Sequence, residues 1–276
     1  MKKTTKVVFI TALIFMTAGF IFCGIGAATG GTWKDFAKMA HDGRFAFSLG
    51  SDNWDNDGTN EVNYYNASYV KGLDVSVDAG TLTVKKSNNE KVEVRVESND
   101  AKVKMKLENG VLTIADEDGW HGIHFGIMTD YHVKVTIFLP EGMTLDSVDI
   151  NVDAGDAVIE EGVLTTNEAV LNVNAGRMEF HGTVNGDLEA DCDVGDLEVY
   201  GTVNGNIEAI CDVGDITIHL TGNEKDYNYS TSCDVGSIDV GEMSMSGFGE
   251  EHNIDNGALY DMILNCDVGS ITVDFE

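Results

Sequence analysis

The tetrapeptide Cys-Asp-Val-Gly occurs four times in this chain, at 192–195, 211–214, 233–236 and 266–269. A thiol beside a carboxylate at a recurring interval could support several chemistries. The cysteines could pair as disulfides or hold a zinc ion as thiolates. The aspartates could recruit calcium or a cationic polymer, or act as acids on a polysaccharide. Which of these is open depends on where the backbone points each side chain, and the repeat that carries the motif decides that.

Three earlier segments fill the same slots with other residues. Val-Asp-Ala-Gly ends at Gly80 and at Gly155, and Val-Asn-Ala-Gly ends at Gly176, so Val77, Val152 and Val173 stand where cysteine appears later. From Gly155 the glycines fall at steps of 21, 19 and 19 residues to Gly214, and steps of 22 and 33 follow to Gly236 and Gly269. A recurrence near twenty residues marks each copy as one coil of a stack, able to bury its apolar face only against its neighbours. Within a copy the apolar residues alternate, as Leu188, Ala190, Cys192 and Val194, and again as Ile207, Ala209, Cys211 and Val213. Period two predicts a strand with one buried face.

The glycine breaks that alternation and a second short run follows, Leu197 with Val199 or Ile216 with Ile218, which predicts a corner at each glycine. Asn185-Gly186 and Asn204-Gly205 supply the other bend, through the positive φ that Asn-Gly accepts. A hairpin at Asn-Gly is the alternative, but it would reverse chain direction between nineteen-residue copies. The expected fold is all-β: a parallel β-solenoid, or single-stranded β-helix, with 19–22 residues per coil over residues 70–276. The long last step leaves room for a surface loop over 241–257, where Ser, Gly, Met and Glu show no alternation.

On this reading the cysteines are small apolar core residues. Equivalent positions in adjacent coils lie about 4.8 Å apart, beyond the Cβ separation of about 3.5 to 4.5 Å usual in a disulfide. A straight file of thiolates cannot close a tetrahedron around one zinc ion. Their neighbours Asp193, Asp212, Asp234 and Asp267 alternate outward, with Asp153 and Asn174 in preceding copies. A file of carboxylates at coil spacing repels itself. It either solvates the surface or forms a stripe for calcium, a cationic peptide or a basic protein surface. These four aspartates are the candidate ligand-binding residues; no catalytic residue, cofactor or metal site is expected.

Charge narrows the partners. The net charge is −30; without Lys2, Lys3 and Lys6 the chain has 14 basic and 47 acidic residues, or −33. From Glu141 onward 30 acids face only Arg177 and Lys225, or −28, so the acidity lies on the repeat stack. Nucleic acid and anionic lipid are poor partners for such a surface. The segment 71–106 instead carries eight basic residues, many alternating with apolar ones, which predicts one basic strand face.

The segment 7–28 holds 22 residues without a charge and follows three lysines. It is long enough to span a bilayer, and the lysines place the preceding residues 1–6 in the cytoplasm and the remainder outside. Small residues at Gly24, Gly26, Ala27 and Ala28 leave a cleaved signal as the alternative, and with it a secreted protein. Residues 29–69 then read as a juxtamembrane segment and cap, with a short amphipathic helix over 33–39. Phe20-Ile21-Phe22 before Cys23 lacks the small residues a lipidation site needs. His121 and His124 lie in a Gly-rich aromatic stretch that reads as a loop rather than a zinc site. Asn53, Asp55, Asp57 and Gly58 only partly echo a calcium loop, because Tyr64 stands where the late glutamate is required.

A lysine-flanked anchor, extended copies ending Asp-Ala-Gly, the run Asn109-Gly110-Val-Leu-Thr-Ile, the strand end Leu139-Pro140-Glu-Gly, and then the Asp-Val-Gly rungs form one series. That series, from about Val70 to Glu276, resembles a bacterial family of β-strand-repeat proteins of unknown function that carry the label of adhesins. The resemblance implies a single-stranded parallel β-helix on the cell surface and no established activity. The expectation is therefore a membrane-anchored, extracytoplasmic structural or interaction module with a cationic ligand. A carbohydrate-active β-helix enzyme is the alternative. Self-association is expected through Ile271-Thr-Val-Asp-Phe, read as the uncapped last strand.

Overall fold

The computed structural model describes residues 59–98, 103–116 and 133–276. In chain order the strands are β1 (Thr59–Asn66), β2 (Gly72–Val77), β3 (Gly80–Ser87), β4 (Lys91–Ser98), β5 (Val103–Glu108), β6 (Val111–Asp116), β7 (Val133–Pro140), β8 (Thr144–Leu145) and β9 (Ser147–Val152). The chain continues through β10 (Gly155–Thr166), β11 (Ala169–Val173), β12 (Gly176–Val184), β13 (Leu188–Val203), β14 (Ile207–Leu220), β15 (Tyr227–Val240), β16 (Met243–Ile254) and β17 (Tyr260–Phe275). All belong to one sheet, and the described residues include no α-helix.

Strand direction follows from register. Gly155 lies opposite Gly176, Gly176 opposite Gly195 and Gly195 opposite Gly214, all in parallel pairs. The steps of 21 and 19 residues are thus the offsets between stacked coils, and the Asn-Gly hairpin alternative is excluded. First halves stack as β6–β2–β9–β11–β13–β14–β17–β15, and second halves as β7–β3–β10–β12–β13–β14–β17–β15. A short third segment pairs Thr183 with Thr202 and Val184 with Val203. The fold is solenoid-like, and its core is filled coil by coil: Leu188, Ala190 and Cys192 from one half of β13 meet Leu197 and Val199 from the other, all buried. Each fully buried Leu or Ile contributes roughly 1.5–3 kcal/mol.

The corner glycine is required twice over. Gly195 has φ 139°, and a Cβ there would lie 2.1 Å from the carbonyl oxygen of Gly176 in the coil above. The Asn-Gly bends work differently from the expectation. Neither Gly186 nor Gly205 has a positive φ. Gly186 is needed because a Cβ would stand 2.4 Å from the Asn167 carbonyl oxygen of the preceding coil.

Three further expectations are corrected. Val194 and Val213 do not continue the buried alternation; the chain turns at the corner, so Cys192 and Cys211 are the last inward residues and both valines are exposed. Residues 241–257 are not a loop, because β16 pairs antiparallel with β15 from Val240–Met243 to Tyr229–Ile254 and buries Met245. The chain's last strand is not an open edge. β17 lies between β14 and β15, with Cys266 opposite both Cys211 and Cys233, so its backbone is paired on both sides. The stack ends instead on antiparallel strands: β16 at one end, and at the other β4 on β7, β1 on β4 and β5 on β6.

The expected membrane segment over 7–28, the helix over 33–39, the calcium-like residues 53–58 and the His121/His124 pair lie outside the described residues. Among those described, no helix is long and apolar enough to cross a membrane.

Candidate functional site

The glycine corner places the four candidate aspartates. In each coil the buried cysteine ends the inward run and the next residue faces solvent, so Asp193, Asp212, Asp267 and Asp234 are all exposed. Their flanking cysteines and valines are in register, which sets the four in one file in the spatial order 193, 212, 267, 234. The structure therefore brings all four sequence-predicted residues together, although in an order the chain numbering does not show. No hydrogen bond or ion pair joins their side chains to another described residue. Higher in the file, Asn174 and Asn151 both donate their Nδ2 groups to Asp153 Oδ1, which neutralises repulsion that a further carboxylate would add.

Beside this file is a polar hollow that sequence reasoning missed. It is lined by Asp74, Asp149, Asp191 and Asp193 together with the amides of Asn151, Asn172 and Asn174. Asp74 lies opposite Asp149, and Asn151, Asn172 and Asp191 are stacked in register. Burial raises the pKa of Asp149 above the ordinary carboxylate value, and the charges of Asp74 and Glu189 add to it. Burial likewise raises Asp191, followed by Asp193, Asp212 and Glu189. The available signal was Asn151, Asn172 and Asp191, each two residues before the outward Asp153, Asn174 and Asp193 of its coil.

The thiols behind the file are inert by the same physics. Cys192, Cys211, Cys233 and Cys266 are buried and reduced. Burial pushes Cys192 up to about 11, and Cys211 and Cys266 up to about 12.

On the other face of the corner, His181, Tyr200 and His219 are spaced nineteen residues apart and stack face to face, with centroids 4.6 Å apart in both pairs. Each ring meets a carboxylate: His181 Nε2 lies 2.8 Å from Glu179 Oε1, and the Tyr200 hydroxyl donates to Glu198 Oε2 at 2.8 Å. Arg177 closes the group with a 2.6 Å contact to Glu198 Oε1. The constant spacing of 181, 200 and 219 was a legible signal here too. Tyr200 is covered on both faces, and His181 and His219 each on one.

With the rungs and their corners placed, the comparisons with known proteins can be set against them. Residues 70–203 match the Toastrack DUF4097 family. The Toastrack match runs from β2 through β13 and takes in the first Cys-Asp-Val-Gly copy, while those of β14, β15 and β17 lie beyond it. No curated protein matches the sequence. Solved structures similar to this chain include a "putative cell adhesion protein" from Clostridium sporogenes, 13% identical, aligned over 80% of this chain and 100% of its own with a TM-score of 0.44. A "putative adhesin" from Bacteroides fragilis is 16% identical over 78% of this chain and 97% of its own, with a TM-score of 0.36. A "putative lipid binding protein" from Parabacteroides distasonis is 13% identical over 79% and 98%, with a TM-score of 0.26.

Proposed function

We propose that this chain is an adhesin-like interaction module of a bacterial envelope, displayed outside the cytoplasm on its N-terminal apolar segment and binding a cationic ligand along its carboxylate file. The observation that carries this reading is the alignment of Asp193, Asp212, Asp267 and Asp234 on successive coils with no lysine or arginine paired to them among the described residues. Carboxylates held about 4.8 Å apart repel one another, and a bound cation relieves that repulsion. The ligand is a divalent cation or a basic peptide or protein surface.

The test is thermal unfolding of the full chain in a neutral detergent, titrated with calcium and separately with oligolysine at low and physiological salt. A saturable rise in midpoint is expected, weakened by salt and lost when the four aspartates become Asn. No shift with either probe would leave the file as solubilising surface. The role is non-enzymatic, so no reducing ends should appear on a polysaccharide panel. Release that disappears in D193N/D212N would replace this reading with a carbohydrate-active enzyme.

A further inference from the structure

At the apex of the glycine corner, Val194, Val213, Val268 and Val235 stand on four successive coils in register. They are 53%, 49%, 47% and 43% exposed. Core packing does not account for valine here, because the side chains face solvent. The coils above carry the exposed Ala154 and Ala175 at the same position, so the corner geometry does not demand valine either. Strand preference alone would be met by threonine. A contiguous apolar stripe kept in water on four neighbouring coils marks a surface that is covered in use.

The slopes beside this ridge indicate what covers it. One residue before each valine stands an exposed aspartate of the carboxylate file. Two residues after Val194 and Val213 stand Asp196 and Asp215, also exposed, and Ser270 extends the second slope by donating to Asp215. An apolar crest with an acidic slope along its whole length, and a second beside Val194 and Val213, repels a second copy of a chain with net charge −30, and it repels anionic lipid. Its complement is an apolar stripe flanked by cations. We propose that the valine ridge docks a basic amphipathic peptide segment, with apolar side chains on Val194, Val213, Val268 and Val235 and Lys or Arg reaching down to the aspartates. Four coils at about 4.8 Å give a crest roughly 14 Å long, the length of about ten helical residues. This inference rests on the cationic-ligand reading and adds the apolar contact that gives it selectivity.

The experiment compares two labelled peptides of equal charge by fluorescence anisotropy on the full chain in neutral detergent: a Leu/Lys amphipathic helix and oligolysine. The amphipathic peptide is expected to bind at least about tenfold more tightly and to stay bound at about 0.5 M NaCl, where screening releases oligolysine. The variant V194T/V213T/V235T/V268T should lose that advantage and keep its oligolysine affinity. If this variant does not fold, V194T/V213T is read in its place. Equal affinities for the two peptides, or an advantage that survives the threonine changes, overturns the ridge and leaves the cationic-ligand reading standing. Binding of neither peptide overturns the ridge and the basic-peptide form of the cationic-ligand reading, and leaves the divalent-cation form to the calcium titration. A concentration-dependent dimer in sedimentation that the threonine variant abolishes would make the ridge a self-interface and overturn the peptide assignment.

Discussion

A single atom decides the corner. Gly195→Ala would set a methyl 2.1 Å from the Gly176 carbonyl oxygen at a φ of 139°, and the neighbouring coil cannot retreat without breaking its own ladder. A loss of at least about 2 kcal/mol is expected in denaturant unfolding. A variant as stable as the parent would mean that the corners are not close-packed. Asp191 gives a prediction of opposite sign. Its pKa is raised, so the folded state holds a proton more tightly than the unfolded chain does, and the charged form burdens the fold at neutral pH. Asp191→Asn should therefore raise the thermal midpoint at pH 7. Because the parent itself gains stability as pH falls through the raised pKa, the difference should shrink in acid. A gap that widens below neutrality would contradict this. The cysteines should be silent: with thiols at about 11 to 12 and buried, Cys192, Cys211 and Cys266 should escape alkylation at pH 8 in the native protein and react fully in denaturant, read by mass spectrometry.

Among the strands, the arrangement of β14, β17 and β15 reverses the chain order. The β15–β16 hairpin forms no pair with β14; it is attached to the stack through β17. Ending the chain before β17, at Gly257, should therefore do more than remove one coil. It should leave β15 and β16 unsupported, with hydrogen exchange over 227–254 rising toward the unfolded rate while β11–β13 stay protected. Retained protection of β15 would show that it can stack directly on β14. This order was not legible in the sequence, because glycine steps of 22 and 33 are measured along the chain while stacking happens in space. The same limit explains β16, whose Ser and Gly residues carry no alternation. It is a strand because the outer edge of β15 offers unpaired backbone groups, a tertiary condition that no local pattern records. What was legible came from repetition. Cys192 against Val173 and Val152 identified an inward slot, and the Asp beside it an outward one. Val194 was misread because alternation was extended one residue past the point where the chain turns.

For the whole molecule, charge is the unbalanced quantity. Ion pairs gather in the first coils, as Lys85–Glu160, Lys86–Glu141, Arg95–Glu93 and Lys134–Glu97, whereas among the described residues from 170 onward the only lysine or arginine ion pair is Arg177–Glu198. The later coils thus stack carboxylate on carboxylate with little compensation, and the backbone ladder and buried core must hold against that repulsion. Salt should therefore stabilise the protein, and the concentration range distinguishes near from distant repulsion. The screening length is about 10 Å at 0.1 M and about 3 Å at 1 M, while adjacent coils are about 4.8 Å apart. Repulsion between distant coils is screened first, below 0.1 M. Repulsion between neighbouring aspartates persists until salt is several-fold higher. The thermal midpoint in NaCl should accordingly keep rising between 0.1 and about 1 M, and the rise above 0.1 M should be smaller in D193N/D212N/D234N/D267N. A midpoint that levels off near 0.1 M in both proteins would show that water between the coils already screens the file, and that cation binding there has no repulsion to relieve.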